Sequence, residues 1–220
     1  MIHPAMDDYF PCGLFCVLVP RTHYSLTKPP DRDKNIRSSM KTLLNTLSIL
    51  GQEIGSGVHG AVYDLLDDPH KAIKIAFTED NAFAQVRTLY QFVQAHPHPA
   101  LATIFEFSDL CQASSWVDPY YSVTMEKLYP LTEDEQRVMK SICLDYNGHL
   151  AAGQALQHIE ELQEWLDFDP IKVKDFYTAL STLPVIHRDF HRRNIMKDAG
   201  GNYKLIDFEL IEIKKEKPDG

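Results

Sequence analysis

Apolar and polar positions alternate in short runs through the first third of the patterned sequence, beginning at Leu47. "LSILGQEIGSG" reads as a strand leading into a glycine-rich segment, "AVYDLL" as the strand leaving it, "DDPH" as a turn and "KAIKIAF" as a third strand. The period then changes. In "DNAFAQVRTLYQFVQA" the residues Phe83, Val86, Leu89, Tyr90 and Val93 recur at helical spacing, which places one apolar stripe on a helix. "LATIFEF" and "YYSVTMEKL" return to strand texture.

Beyond Leu128 the pattern is helical. "LTEDEQRVMKSICLDYNG" opens on Thr132 and Glu135, a capping-box pair with an acidic first turn, and Asn147-Gly148 is a suitable stop. "HLAAGQALQHIEELQEWL" aligns Leu156, Ile159, Leu162 and Leu166 as a second helix. Asp169 followed by Pro170 is a cap with a first-turn proline for a third helix, which Pro184 ends. Two short apolar stretches follow, "VIHRDFHRRNIM" and "YKLIDFEL", with Gly200-Gly201 as the turn between them. Five strands with one helix, then helices and a short hairpin, give an α+β architecture in two parts, residues 47–128 and 129–220. Residues 1–46 carry Pro4, Pro11, Pro20, Pro29 and Pro30 without a sustained period and read as an irregular extension.

Composition narrows the classes. A formal charge of −9 argues against a broad nucleic-acid surface. Four cysteines without a C-x-x-C pair supply neither a disulfide framework nor a structural zinc site, so a reducing, cytoplasmic setting is expected. The apolar run from Phe10 to Pro20 is too short for a membrane span. His96 and His98, in "HPHP", have the chemistry of metal ligands, but a proline-bounded loop after a helix fits them better.

The chemistry is concentrated in four segments. "GSGVHGAV" places Gly55, Gly57 and Gly60 between two strands of a hairpin, which is not the strand-to-helix setting of a Rossmann or Walker phosphate loop. Lys74 sits in "AIKI" with Ile73 and Ile75 facing away from it; it shares a sheet face with Ala72, on the side where Val62 could complete a slot for a flat ring. "HRDFHRRN" holds Asp189, able to take a proton from a hydroxyl, and Asn194. "LIDFE" adds Asp207, expected to be buried; Asn194 and Asp207 are oxygen ligands of the kind Mg²⁺ takes.

In this order, "GSGVHGAV", "AIK", "HRDFHRRN" and "IDFE" resemble the signature set of the protein kinases over roughly residues 47–212. The resemblance implies a bilobal fold: residues 47–128 as a lobe of antiparallel sheet plus helix, and residues 129–220 as a reduced, mainly helical lobe. ATP and Mg²⁺ are its implied cofactors. Gly55, Ser56, Gly57, Val58, His59 and Gly60 would cover the phosphates and Lys74 would pair with them. Val62 and Ala72 would line the base. Met125 would act as gatekeeper, and the backbones of Glu126 and Leu128 would meet the adenine edge. Asp189 would be the catalytic base, with Asn194 and Asp207 holding metal.

The sequence also departs from that pattern. The helix after Lys74 should supply a partner glutamate, but the best-fitting position holds Gln85, and Glu79 is very close to Lys74 in sequence. Glu209 stands where the usual motif has glycine, and Arg188 lacks the activation loop it would normally meet. The chain reaches Gly220 with no A-P-E motif and no peptide-docking helices. His191 is found at the corresponding place in aminoglycoside- and choline-kinase-like enzymes, whereas Arg193 is like the tyrosine-kinase loop. The expected activity is transfer of the ATP γ-phosphoryl group to a hydroxyl acceptor, a protein Ser/Thr or Tyr, and the expected partner is a protein substrate or regulator. A small-molecule phosphotransferase and a pseudokinase or nucleotide-sensing module stand as alternatives.

Overall fold

The computed structural model describes residues 46–57, 59–111, 119–150 and 154–214. The expectations for the extension, including its cysteines and apolar run, and for Val58 lie outside these residues.

The chain is α+β, built on a five-stranded antiparallel sheet. Its strands are β1 (Leu50–Gly57), β2 (Gly60–Leu65), β3 (Lys71–Phe77), β4 (Ile104–Cys111) and β5 (Tyr120–Glu126), in the spatial order β1-β2-β3-β5-β4. The central strand β3 buries Ala72, Ile73, Ile75 and Ala76, and leaves Lys74 half-buried on the face it shares with Ala72 and Ala76. The helix α1 (Asp80–Ala95) spans the residues its periodicity predicts, and Val86, Leu89, Tyr90 and Val93 are all buried.

Aromatic rings fasten α1 to the sheet. Tyr90 and Tyr121 are completely buried, with ring centroids 6.1 Å apart. Phe107 stacks on Tyr121 at 5.2 Å, and Phe83 approaches the same ring at 6.2 Å. Such pairs add about 0.5–1.5 kcal/mol each beyond their buried area. Phe208 joins from the far end of the sequence, edge-on to Tyr90 at 5.9 Å.

Three further helices follow: α2 (Glu133–Tyr146), α3 (Gln154–Leu162) and α4 (Pro170–Leu180). The signals that start and stop α2 act as their chemistry requires. The Thr132 hydroxyl accepts from the Glu135 N–H at 3.2 Å, the Glu135 carboxylate accepts from the Thr132 N–H at 2.8 Å, and Gly148 adopts φ +74° beyond the C-terminus. Asp169 caps α4 by accepting from the N–H groups of Ile171 and Lys172 at 3.0 and 3.2 Å. The second helix read from sequence is shorter than expected. It ends at Leu162 in a turn, and Trp165 projects into solvent with 80% of its surface exposed. The Leu166 N–H still donates to the Leu162 carbonyl at 3.0 Å, and its side chain packs against the core.

The last third forms two small antiparallel pairs. β7 (Ile195–Lys197) and β8 (Tyr203–Leu205) make a hairpin whose turn uses Gly201 at φ +77°. β6 (Val185–His187) pairs with β9 (Ile211–Ile213), a strand the sequence pattern did not reveal. The hairpin is bound to the sheet side by the Ala102 N–H to the Leu205 carbonyl at 2.9 Å and the Leu205 N–H to the Ala100 carbonyl at 2.7 Å. One hydrophobic core runs from Ala76 on β3 through α1, α2 and α4 to Phe208 and Ile211.

Glu135 anchors the helical part. Its buried carboxylate is held by Lys197 at 2.8 Å and by the Tyr203 hydroxyl at 3.1 Å, joining the start of α2 to both strands of the hairpin. Cys143 is a free, buried thiol, its pKa pushed up to about 12 by burial despite nearby Arg192. The two histidines of "HPHP" lie in a loop after α1. His96 bonds the Phe92 carbonyl at 2.8 Å, and His98 bonds Thr182 at 3.1 Å. Among the described residues no helix is long and apolar enough to cross a membrane.

Candidate functional site

A cleft of about 590 Å³ lies between the β1–β2 hairpin, β3, the segment after β5 and the β7–β8 hairpin. That volume suits a small organic ligand. The glycine segment forms one wall, but its glycines differ in role. A Cβ on Gly60 would meet the Ile75 carbonyl at 2.2 Å, so Gly60 is required by the packing of β2 on β3. Added Cβ atoms at Gly55 and Gly57 would meet nothing within 4 Å, and both residues border the cleft. The cover over the cleft is therefore Gly55, Ser56 and Gly57, with His59 at the turn.

Apolar walls face each other across the remaining space. Val62 and Ala72 come from the sheet, as the strand alternation predicts, and Val62 lies in register opposite Lys74. Met196 and Ile206, from the hairpin region, lie on the cleft as well. Neither was singled out from sequence, although Met196 follows Asn194 by one strand repeat and Ile206 immediately precedes Asp207. Met125, Glu126 and Leu128 line the end of the slot. The N–H groups of Glu126, Lys127 and Tyr129 are committed to the carbonyls of Thr103, His70 and Lys197 at 3.0, 2.8 and 2.7 Å. Among the described residues the Leu128 N–H has no backbone acceptor, and it remains available beside the cleft.

The polar centre is Lys74. Its ammonium donates to Asp207 Oδ1 at 2.9 Å and to Glu209 Oε1 at 2.6 Å. The Tyr121 hydroxyl also donates to Glu209 Oε1, at 2.5 Å, and that of Tyr90 at 3.4 Å. Burial alone would lower the Lys74 pKa, but the oxygens of Tyr90, Glu209, Asp207 and Tyr121 hold it well above the ordinary value. Burial tends to raise the Asp207 pKa, and the adjacent Lys74 ammonium overcomes this and lowers it. Lys74 and Asp207 are thus a charged pair at neutral pH.

Two expectations change here. Gln85 is exposed on α1 and has no contact with Lys74; the α1 side chain beside the ammonium is Tyr90. The stripe that buries Val86 and Leu89 turns Gln85 outward and brings Tyr90 to the sheet. Asp207 is not a buried carboxylate. Its side chain is 38% exposed, opens onto the cleft, and sits at φ 65°, the one positive φ at a non-glycine among the described residues. A left-handed aspartate costs energy and recurs at functional sites. Here the turn directs the Asp207 carboxylate toward β3 and is followed at once by the 3₁₀ turn Phe208–Leu210, which carries Glu209.

Asp189 and Asn194 do not line this cleft. They form a neighbouring group in which the Asn194 amide donates to the Asp189 carbonyl at 2.9 Å and to its carboxylate at 3.1 Å. His191 Nε2 lies 3.2 Å from the same carboxylate oxygen. The Asn194 carbonyl accepts from the Ile206 N–H at 3.0 Å, which ties this loop to the residue before Asp207, and Arg193 reaches the cleft itself. Arg188 meets Glu212 on β9 in an exposed ion pair. Buried His187 bonds the Ile206 carbonyl at 2.9 Å, and its burial lowers its pKa.

No protein-family model and no curated protein matches the sequence. Among the described residues no three His, Cys, Asp or Glu side chains converge as a preformed metal cage. The donor set is instead a half-exposed carboxylate, Asp207, and an amide, Asn194, whose NH₂ is used by Asp189 and whose side-chain oxygen is left as acceptor. Of the two, only Asp207 opens onto the cleft; a single carboxylate suits Mg²⁺, which binds through one or two carboxylates while retaining waters or taking phosphate oxygens, and Asn194 would have to join it from the neighbouring group.

Proposed function

We propose that this chain is a protein-kinase-like phosphotransferase that binds ATP with Mg²⁺ in the cleft and transfers the γ-phosphoryl group to a hydroxyl acceptor, with a protein as the first candidate. Residues 47–128 act as the sheet lobe and 129–220 as the reduced helical lobe of a bilobal kinase-like fold. The observation that carries this reading is the 2.9 Å contact between Lys74 and Asp207, at the base of a cleft bordered by Gly55 and Gly57. Under a cover of small residues and behind an apolar slot, the lysine would give a nucleoside triphosphate a cation for its phosphates, and the carboxylate beside it a ligand for their Mg²⁺.

The residues divide the work. Val62, Ala72, Met196 and Ile206 hold the flat base, and the free Leu128 N–H gives its edge a donor. Lys74 offers its charge to the phosphates. Asp207 and Asn194 would hold Mg²⁺, which when bound neutralises phosphate charge. Asp189, 43% exposed and oriented by Asn194 and His191, takes the proton of the attacking hydroxyl. Positioning and electrostatics supply most of the rate.

A nucleotide-binding module without transfer is favoured by one observation: Asp189 lies outside the cleft lining and already shares its carboxylate with Asn194 and His191. Mg²⁺-dependent transfer from γ-labelled ATP separates the two readings. The purified chain is offered itself, mixed proteins and a panel of small hydroxyl compounds, with Asp189→Asn and Asp207→Ala alongside. Label that appears with the native chain and vanishes in both variants supports the phosphotransferase, and the labelled acceptor identifies the substrate class. ATP binding without label on any acceptor supports the binding module.

A further inference from the structure

We propose that Glu209 is the positioning residue of this site, aligning Lys74 for the nucleotide phosphates in place of any carboxylate from α1. The inference rests on the nucleotide reading above. Glu209 Oε1 lies closer to the Lys74 ammonium than Asp207 does, 2.6 Å against 2.9 Å, and its side chain is only 18% exposed. A buried charge-assisted hydrogen bond of that length fixes a long, flexible side chain. Two tyrosines hold the carboxylate in turn: Tyr121 from the central part of the sheet and Tyr90 from α1. Both rings are completely buried and packed against Phe107, so neither hydroxyl can move far without disturbing the aromatic cluster.

Glu209 belongs to the turn that starts at Asp207, and Phe208 between them is locked against Tyr90 at 5.9 Å. One turn therefore sets both the lysine's orientation and the carboxylate that faces the cleft. Among the described residues α1 contributes a neutral hydroxyl, that of Tyr90, so alignment of Lys74 is built into the turn at Asp207 and does not depend on a helix carboxylate swinging into place.

Binding measurements with two ligands test this. Mg·ATP and adenosine are each titrated against the native chain, Glu209→Gln and Glu209→Asp, with thermal melting to confirm folding. Adenosine carries no phosphate, so misalignment of Lys74 leaves its affinity unchanged. Glu209→Gln is expected to weaken Mg·ATP about tenfold, the worth of one charge-assisted contact, with adenosine binding as in the native chain. Glu209→Asp, shorter but still charged, is expected to lose less than the isosteric neutral variant; a packing role would reverse that order. Equal Mg·ATP affinity in Glu209→Gln and the native chain would overturn the assignment while leaving the nucleotide site intact. A parallel loss of adenosine binding would make Glu209 a structural residue and overturn it as well. Failure of the native chain to bind either ligand would remove the nucleotide reading itself, and this inference with it.

Discussion

Lys74 on β3 and Asp207 beyond β8 are 133 positions apart in sequence, yet their side chains meet at 2.9 Å. Neither is placed by its neighbours alone. Lys74 is directed by the strand register that sets it opposite Val62 and Val123, and Asp207 by a left-handed turn after the hairpin. A contact between such distant segments exists only in the folded chain, and it places a cation and an acidic oxygen at the base of the same cleft.

The glycines of the β1–β2 hairpin are expected to separate by role. Gly60→Ala forces a Cβ into the Ile75 carbonyl and should destabilise the fold by roughly 1–3 kcal/mol, seen as a lowered melting temperature. Gly57→Ala meets no atom and should leave stability within about 0.5 kcal/mol of native. Its effect should be on ATP affinity, because the added methyl stands at the border of the cleft.

Glu135 should matter more for stability than any exposed ion pair. Its side chain is 8% exposed and bonded to Lys197, Tyr203 and the Thr132 N–H. Glu135→Ala leaves the Lys197 ammonium without its partner and should cost about 3 kcal/mol in chemical denaturation. Arg188→Ala, which breaks the exposed pair with Glu212, should cost less than about 1 kcal/mol.

The same carboxylate gives a pH dependence of known sign. Burial would raise the Glu135 pKa, but Lys197, the Thr132 N–H and the Tyr203 hydroxyl together lower it. In the unfolded chain the group titrates at about 4.3. Its stabilisation is full above that pH and is lost as pH falls through the lowered folded value. Thermal melts across acid pH should therefore show a decline below about pH 4 that is shallower in Glu135→Gln.

Much of this arrangement was legible in the sequence, and the limits are physical. β3 and α1 were legible because Lys71–Phe77 and Asp80–Ala95 carry unbroken periods. The caps at Thr132 and Asp169 were legible because their chemistry is local. β9 was not, since three residues acquire strand geometry only by pairing with distant β6. Lys74, Asp207 and the cleft-lining glycines could be singled out by residue type and order. The partner of Lys74 could not. Sequence spacing along α1 pointed to Gln85, but the helix rotates that position to solvent and presents Tyr90, while Glu209 arrives from the other end of the chain through the turn at Asp207. A side chain that follows a left-handed residue has a direction no linear pattern encodes.

Calorimetric titration of ATP into the purified chain, with and without Mg²⁺, tests most directly whether the cleft is a metal–nucleotide site. Native protein should bind ATP at one site, more tightly with Mg²⁺. Lys74→Ala should weaken binding by at least about tenfold, and Asp207→Asn should abolish the gain from Mg²⁺. Absence of ATP binding by the native chain, or binding that neither substitution alters, would contradict the assignment of this cleft.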